Sequence, residues 1–137
     1  MITLILGRKG SGKTKRLMDM CNQAVEQSKG NVVFIEKDNT LTYSINHKAR
    51  LVAADEYAIS GFDSFYGFIA GMCAGNYDVT DIFVDSTLKI GGDVDGLLGF
   101  VEKLNAVCKK ANIRVVMSVS AAQDEIPAKI AELAEEI

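Results

Sequence analysis

Apolar positions along the chain follow two rhythms: short, nearly continuous runs, and longer stretches spaced at three and four residues. Met1 to Leu6 is a run of the first kind, stopped by Gly7, and Lys13 to about Ser28 carries Leu17, Met18, Cys21, Ala24 and Val25 at helical spacing. Strand, glycine loop and helix are the predicted elements. Lys29-Gly30-Asn31 closes that helix, and Val32-Val33-Phe34-Ile35 is β-branched and apolar enough for a buried strand. From Glu36 to Arg50 the chain is mostly polar, with Leu41, Tyr43 and Ile45 alternating among the polar residues, which fits a loop or an edge hairpin. Leu51 to Ala54 predicts a further short strand.

Asp63 or Ser64 is placed to cap a helix carrying Phe65, Phe68, Ile69, Met72 and Cys73, ended by Gly75-Asn76. Ile82-Phe83-Val84 leads into Asp85. A glycine-containing loop then reaches a long helix with Val94, Leu97, Leu98, Val101, Leu104, Val107 and Cys108 on one side. Ile113 to Val119 is the next strand, and Pro127 stands near the start of a short amphipathic helix bearing Ile130, Leu133, Ala134 and Ile137. Nearly all-apolar strands alternating with helices predict a single α/β domain over 1–137. Its sheet is mainly parallel with helices on both faces, and ligands belong at the carboxyl ends of the strands.

Composition adds boundaries rather than detail. A chain of 137 residues, 48% apolar and 24% charged, is ordinary for one globular core. The formal charge of -3 offers no general attraction to nucleic acid or anionic lipid, so no nucleic-acid surface is expected. Gly7 ends the first apolar run too early for a signal peptide, and no apolar stretch approaches the ~20 residues of a spanning helix. A cytoplasmic location without membrane insertion is the expectation. Cys21, Cys73 and Cys108 are odd in number and set among apolar neighbours, which reads as buried reduced thiols rather than a disulfide framework or zinc site. The sole histidine, His47, reads as a surface residue.

The strongest chemical signal is Gly7-Arg8-Lys9-Gly10-Ser11-Gly12-Lys13-Thr14, which satisfies G-x-x-x-x-G-K-[ST] between an apolar strand and an amphipathic helix. Glycines let the backbone turn its N–H groups inward, and the helix N-terminus adds about half a positive charge toward an anion. In such a loop Lys13 reaches the β and γ phosphates, while Thr14 places its hydroxyl on Mg²⁺. The complementary carboxylate stands at the end of a neighbouring buried strand, and Asp85 after Ile82-Phe83-Val84 has that form; Asp81, before the run, reads as solvated. Hydrolysis further needs a group to orient water, for which Glu36, Asp38, Glu56, Ser118 and Ser120 are the candidates.

Together these residues resemble the RecA-type core of bacterial recombinases, hexameric helicases and twitching-motility motor ATPases. Phe34-Ile35-Glu36-Lys37-Asp38 is similar to the recombinase strand end, where an acid and one spacer precede a catalytic Glu, here replaced by Asp38; Val84-Asp85-Ser86 resembles their Walker B ending. Nearly the whole chain resembles small stand-alone bacterial P-loop proteins labelled twitching-motility-like or ATP-binding, with Val116-Met117-Ser118-Val119-Ser120 and Pro127 as further points of likeness. The resemblance implies a three-layer P-loop NTPase fold with a RecA-like strand arrangement. It implies ATP and Mg²⁺ as ligands, and it leaves a homo-oligomer or a larger assembly partner open.

The leading expectation is therefore an ATP-binding protein with weak Mg²⁺-dependent hydrolysis. Lys13, Glu36 and Asp38 are its catalytic candidates, and Arg50 is the candidate arginine donated by a neighbouring subunit. A nucleotide-dependent switch moving 36–50 or 86–93 is one alternative, and a small-molecule or nucleoside kinase is another. Against the kinase stand the scattered Arg8, Arg16, Arg50 and Arg114, which form no lid cluster, and the lack of any CxxC pair. No N-K-x-D sequence appears, which favours ATP over GTP. Tyr43, Tyr57, Tyr66 and Phe62 are candidates to stack on a base, though packing is the plainer role for each.

Overall fold

The computed structural model describes residues 1–41 and 44–137. Strands β1 (Ile2–Leu6), β2 (Asn31–Glu36), β3 (Arg50–Ala53), β4 (Val79–Val84), β5 (Arg114–Val119) and β6 (Glu135–Glu136) form one sheet in the order β3-β2-β4-β5-β1-β6. Every pairing in it is parallel. Four helices cover it: α1 (Lys13–Gln27), α2 (Phe62–Gly75), the short α3 (Thr87–Gly91) and α4 (Leu97–Ala111). This is a three-layer α/β fold, as the near-continuous apolar strands require of a sheet buried on both faces.

Side chains alternate across the sheet, so each strand contributes to two separate cores. Ile5, Val32, Phe34, Phe83 and Val116 pack with Leu17, Cys21 and Ala24 of α1. Leu4, Val33, Ile35, Ile82, Val84, Val115 and Met117 pack on the other side with Phe65 and Ile69 of α2 and with Leu97, Val101 and Leu104 of α4. Continuing the first set by two residues carries Glu36, Asp85 and Ser118 to the carboxyl end of the sheet on the α1 face. Register supports the same meeting, because Val84 pairs with Ile35 on one side and Met117 on the other.

Several boundaries differ from the expectations. Helix α2 begins one residue before Asp63, with Gly61 at its N-cap (φ 92°), so neither Asp63 nor Ser64 caps it. The glycine-containing loop after Asp85 holds α3, and Val94 lies in a 3-10 turn, Val94–Gly96, ahead of the long helix. Of the two alternatives for 36–50, a loop or an edge hairpin, the described residues of 37–49 follow the loop: none of them is in a strand, and β3 runs parallel to β2. The expected C-terminal helix is instead a 3-10 segment, Ala128–Glu132, followed by β6. Its last residues turn back to the exposed edge of β1, where Ile137 donates its N–H to the Leu4 carbonyl and accepts from Leu6 N–H. Edge pairing satisfies backbone groups that a free helix would have left unpaired on β1.

Asp81 is not solvated: its side chain is 14% exposed and accepts a 2.8 Å hydrogen bond from Arg114 Nε. The two residues sit opposite each other in the β4–β5 register, and the guanidinium lies 5.4 Å from the Phe83 ring centroid. His47 is exposed, as expected. The three cysteines are buried and free. Burial pushes the Cys21 thiol up to about 12, with Asp81 adding to the effect, and pushes Cys108 up to about 11; burial also raises Cys73. Raised values keep the thiols protonated and unreactive at pH 8. An aromatic disulfide reagent at pH 8 should therefore titrate Cys21 and Cys108 only after unfolding in denaturant; rapid modification of both in the native protein would contradict this packing.

Candidate functional site

The carboxyl ends of β1, β2, β4 and β5 open into a cleft of about 760 Å³. Its lining includes Lys9, Gly10, Gly12, Lys13 and Thr14 from the glycine loop and helix α1, Glu36 and Asp38 after β2, and Asp85, Ser86 and Ser118 from the two central strands. Eight of the expected site residues, Lys9, Gly10, Gly12, Lys13, Thr14, Asp38, Ser118 and Ser120, thus meet Asp85 and Glu36 in one place. Gly7, Arg8 and Ser11 belong to the same loop but are not among the residues that line the cleft.

The loop conformation depends on its glycines. Gly10 (φ 84°) and Gly12 (φ 89°) occupy the left-handed region, which costs an ordinary residue about 1–2 kcal/mol. A Cβ on Gly7 would stand 2.5 Å from Ser11 Oγ. The turn is closed by Ser11 N–H donating to the Arg8 carbonyl, which also accepts from Lys13 Nζ at 2.9 Å. Helix α1 starts directly behind it with no acidic residue in its first turn, so the positive end of its dipole faces the cleft uncompensated. Partial burial lowers the Lys13 amine below its usual value, partly opposed by the Asp85 charge, which raises it.

Asp85 holds the opposite wall. Its Oδ1 accepts from Thr14 Oγ1 at 3.0 Å and from Ser118 Oγ at 2.9 Å, while Ser118 Oγ accepts the Ser86 N–H at 2.8 Å. Ser86 stands at φ 57°, an unusual conformation for serine, and the bond from its N–H to Ser118 fixes it. Ser118 is 2% exposed, and its hydroxyl, at the floor of the cleft, is engaged with Asp85 and the Ser86 N–H. The pattern of apolar residues along β5 could place Ser118 at the strand end but could not reveal its partner. Thr14 and Asp85 supply two hard oxygen donors side by side. Among the described residues no cluster of three His, Cys, Asp or Glu forms a metal cage.

Glu36 and Asp38, adjacent acids in the sequence, have different environments. Glu36 is 2% exposed and, among the described residues, accepts hydrogen bonds from Thr40 N–H and Thr40 Oγ1 at 2.9 Å and from Leu41 N–H at 3.2 Å. It thereby folds 37–41 into a cap beside the cleft. Asp38 is exposed at the mouth, and among the described residues no hydrogen bond or ion pair engages its carboxylate. Lys37, next to it, pairs with Asp55 at 3.0 Å. Ser120 and Lys89 also reach the cleft, the latter from α3, and the sequence pattern gave no reason to select Lys89.

Other expected contributors lie elsewhere. Glu56 sits in the 3-10 turn Ala54–Tyr57, outside the cleft lining. Phe62 packs against Phe100 with ring centroids 5.1 Å apart, Tyr66 lies under Lys103, and Tyr57 accepts from Arg50 Nη2 at 3.3 Å. None of the three lines the cleft, and Tyr43 lies outside the described residues. Arg50 opens β3 and so stands at the amino end of the sheet, opposite the cleft. Among the described residues no helix is long and apolar enough to cross a membrane. Compared with models of known protein families and with curated proteins, the chain matches none.

Replacing Glu36 with Gln puts an amide N–H₂ where one carboxylate oxygen now accepts. At least one backbone donor of the 37–41 cap then loses its partner, at a cost of about 1–3 kcal/mol. The urea midpoint should fall, and amide exchange at Thr40 and Leu41 should accelerate relative to β2. Unchanged exchange at both residues would remove Glu36 from this role.

Proposed function

We propose that this chain binds ATP with Mg²⁺ in the cleft and hydrolyses it slowly. The observation carrying the proposal is the convergence of the glycine loop at the α1 N-terminus with the Thr14–Asp85 oxygen pair across from it. The glycine loop, the helix dipole and Lys13 make one wall suited to phosphate oxygens. The strand order supports the RecA-like arrangement, with β5 lying between the strand of the loop and the strand of Asp85.

The donor chemistry fits magnesium. Thr14 Oγ1 and Asp85 Oδ1, joined by a 3.0 Å hydrogen bond, are hard oxygen donors of the kind Mg²⁺ takes, and these two residues would hold the ion. Mg²⁺ commonly takes only one or two protein oxygens beside phosphate and water, so two donors here would suffice. When bound it draws charge from the phosphate oxygens. Lys13, now donating to the Arg8 carbonyl, exchanges that partner for phosphate, and Ser118 keeps the Asp85 oxygen aimed at Thr14.

Asp38 takes the role of orienting water, since Glu36 is engaged by Thr40 and Leu41. Its single methylene sets the carboxylate back by about one C–C bond from where a glutamate would reach, and an error of ~1 Å can cost about 10²-fold in rate. Slow turnover follows. The cap held by Glu36 also favours a second reading, a nucleotide-dependent switch in which 37–41 rearranges without hydrolysis.

Phosphate release from MgATP should be measured with Lys13→Ala and Asp38→Asn, alongside calorimetric binding. Lys13→Ala should weaken binding by about 10- to 100-fold, the worth of a charge-assisted hydrogen bond of ~1.5–3 kcal/mol. Asp38→Asn should bind normally and lose most turnover. Full turnover in Asp38→Asn would overturn its assignment, and wild-type binding without turnover would select the switch.

A further inference from the structure

One cation of the cleft has no part in closing the loop, holding the oxygen pair or building the cap. Four lysines line the cleft: Lys9, Lys13, Lys37 and Lys89. Lys13 donates to the Arg8 carbonyl and Lys37 pairs with Asp55, while Lys9 stands exposed in the turn of the glycine loop. Among the described residues no hydrogen bond or ion pair engages the Lys89 amine. Its backbone, in contrast, is firmly held. Within α3, Thr87 and Ile90 are buried, the Ile90 carbonyl accepts Gly61 N–H at 2.8 Å, and Phe62 lies so close over Gly91 that a Cβ there would overlap its ring. Lys89 N–H itself donates to the Ser86 carbonyl at 3.0 Å, and Ser86 is fixed in turn by Ser118. A group carried on a packed helix is placed more precisely than one carried on a loop. Lys89 is thus delivered to the cleft four residues after Asp85, with only its own stem left to move.

We propose that Lys89 reads the terminal phosphate of a bound nucleoside triphosphate and so makes the cleft prefer ATP over ADP, an inference that rests on the nucleotide reading of the site. A glycine loop of this kind cradles the α and β phosphates, its lysine reaches β and γ, and a metal on the Thr14–Asp85 pair bridges β and γ. The γ end then falls toward the strand of Asp85, the side from which α3 rises. Its oxygens share Lys13 and the metal with the β phosphate, and the Asp85 carboxylate adds a negative charge beside them. An ammonium from α3 supplies the further counter-charge, and Lys89 gives up no protein hydrogen bond to do so. A diphosphate, ending at β, leaves Lys89 without this contact.

Calorimetric titration of MgATP and of MgADP into the wild-type chain, Lys89→Ala and Lys89→Arg tests the role of Lys89 without relying on turnover. Wild type should bind both nucleotides, ATP the more tightly. Lys89→Ala should weaken ATP by about tenfold or more, the worth of one charge-assisted hydrogen bond, and leave ADP within about twofold. Lys89→Arg keeps the charge and should keep most of the preference for ATP. Because Lys89 is exposed and alanine favours helix, the ligand-free Lys89→Ala chain should melt with the wild type. Failure of the wild type to bind either nucleotide would overturn the cleft reading and this inference with it. Equal wild-type affinity for the two, or a Lys89→Ala chain in which ATP is unchanged or ATP and ADP are weakened alike, would overturn the role of Lys89 alone.

Discussion

The Asp85 carboxylate ties together three segments far apart in the chain: the first turn of α1 through Thr14, the end of β5 through Ser118, and the end of β4 on which it stands. At 9% exposure a carboxylate without partners would be costly to bury, and these two hydroxyls satisfy it. The glycine loop, the start of α1 and the strand ends therefore have one mutual geometry. The cleft depends on that arrangement more than on any single apolar contact.

Strand periodicity explains why such an arrangement forms. Two-residue alternation sends Phe34, Phe83 and Val116 into the α1 core, and the next residues in phase are Glu36, Asp85 and Ser118. Hydrophobic burial fixes the register, and register carries the polar groups to the same end and the same face. Asp81 and Arg114 follow the identical rule at the opposite end, where they pair over Phe83. One sheet face is thus apolar in the middle and closed by polar pairs at both ends.

Much of this was legible in the sequence. The glycine loop, the strand ending in Asp85 and the alternation of elements all rest on local patterns, and the structure has them in the expected places. What was not legible depends on partners distant in the chain. Glu36 and Asp38 look alike in sequence, yet one is buried under Thr40 and Leu41 and the other is exposed. Asp81 read as solvated because Arg114 is 33 residues away. The last segment has helical spacing, but the open edge of β1 draws Ile137 into backbone pairing. Local propensity yields where a sheet edge offers unpaired donors and acceptors.

The central claim concerns the oxygen pair of Thr14 and Asp85 and the loop facing it. Its most direct test is a calorimetric titration of ATP into the wild-type chain with Mg²⁺ and again with the metal chelated. One nucleotide per chain, bound about tenfold or more tightly with Mg²⁺, is the predicted result, since ~1.4 kcal/mol of metal-bridged contact corresponds to that factor. Absence of binding in both titrations, or equal affinity with and without the metal, would contradict the account.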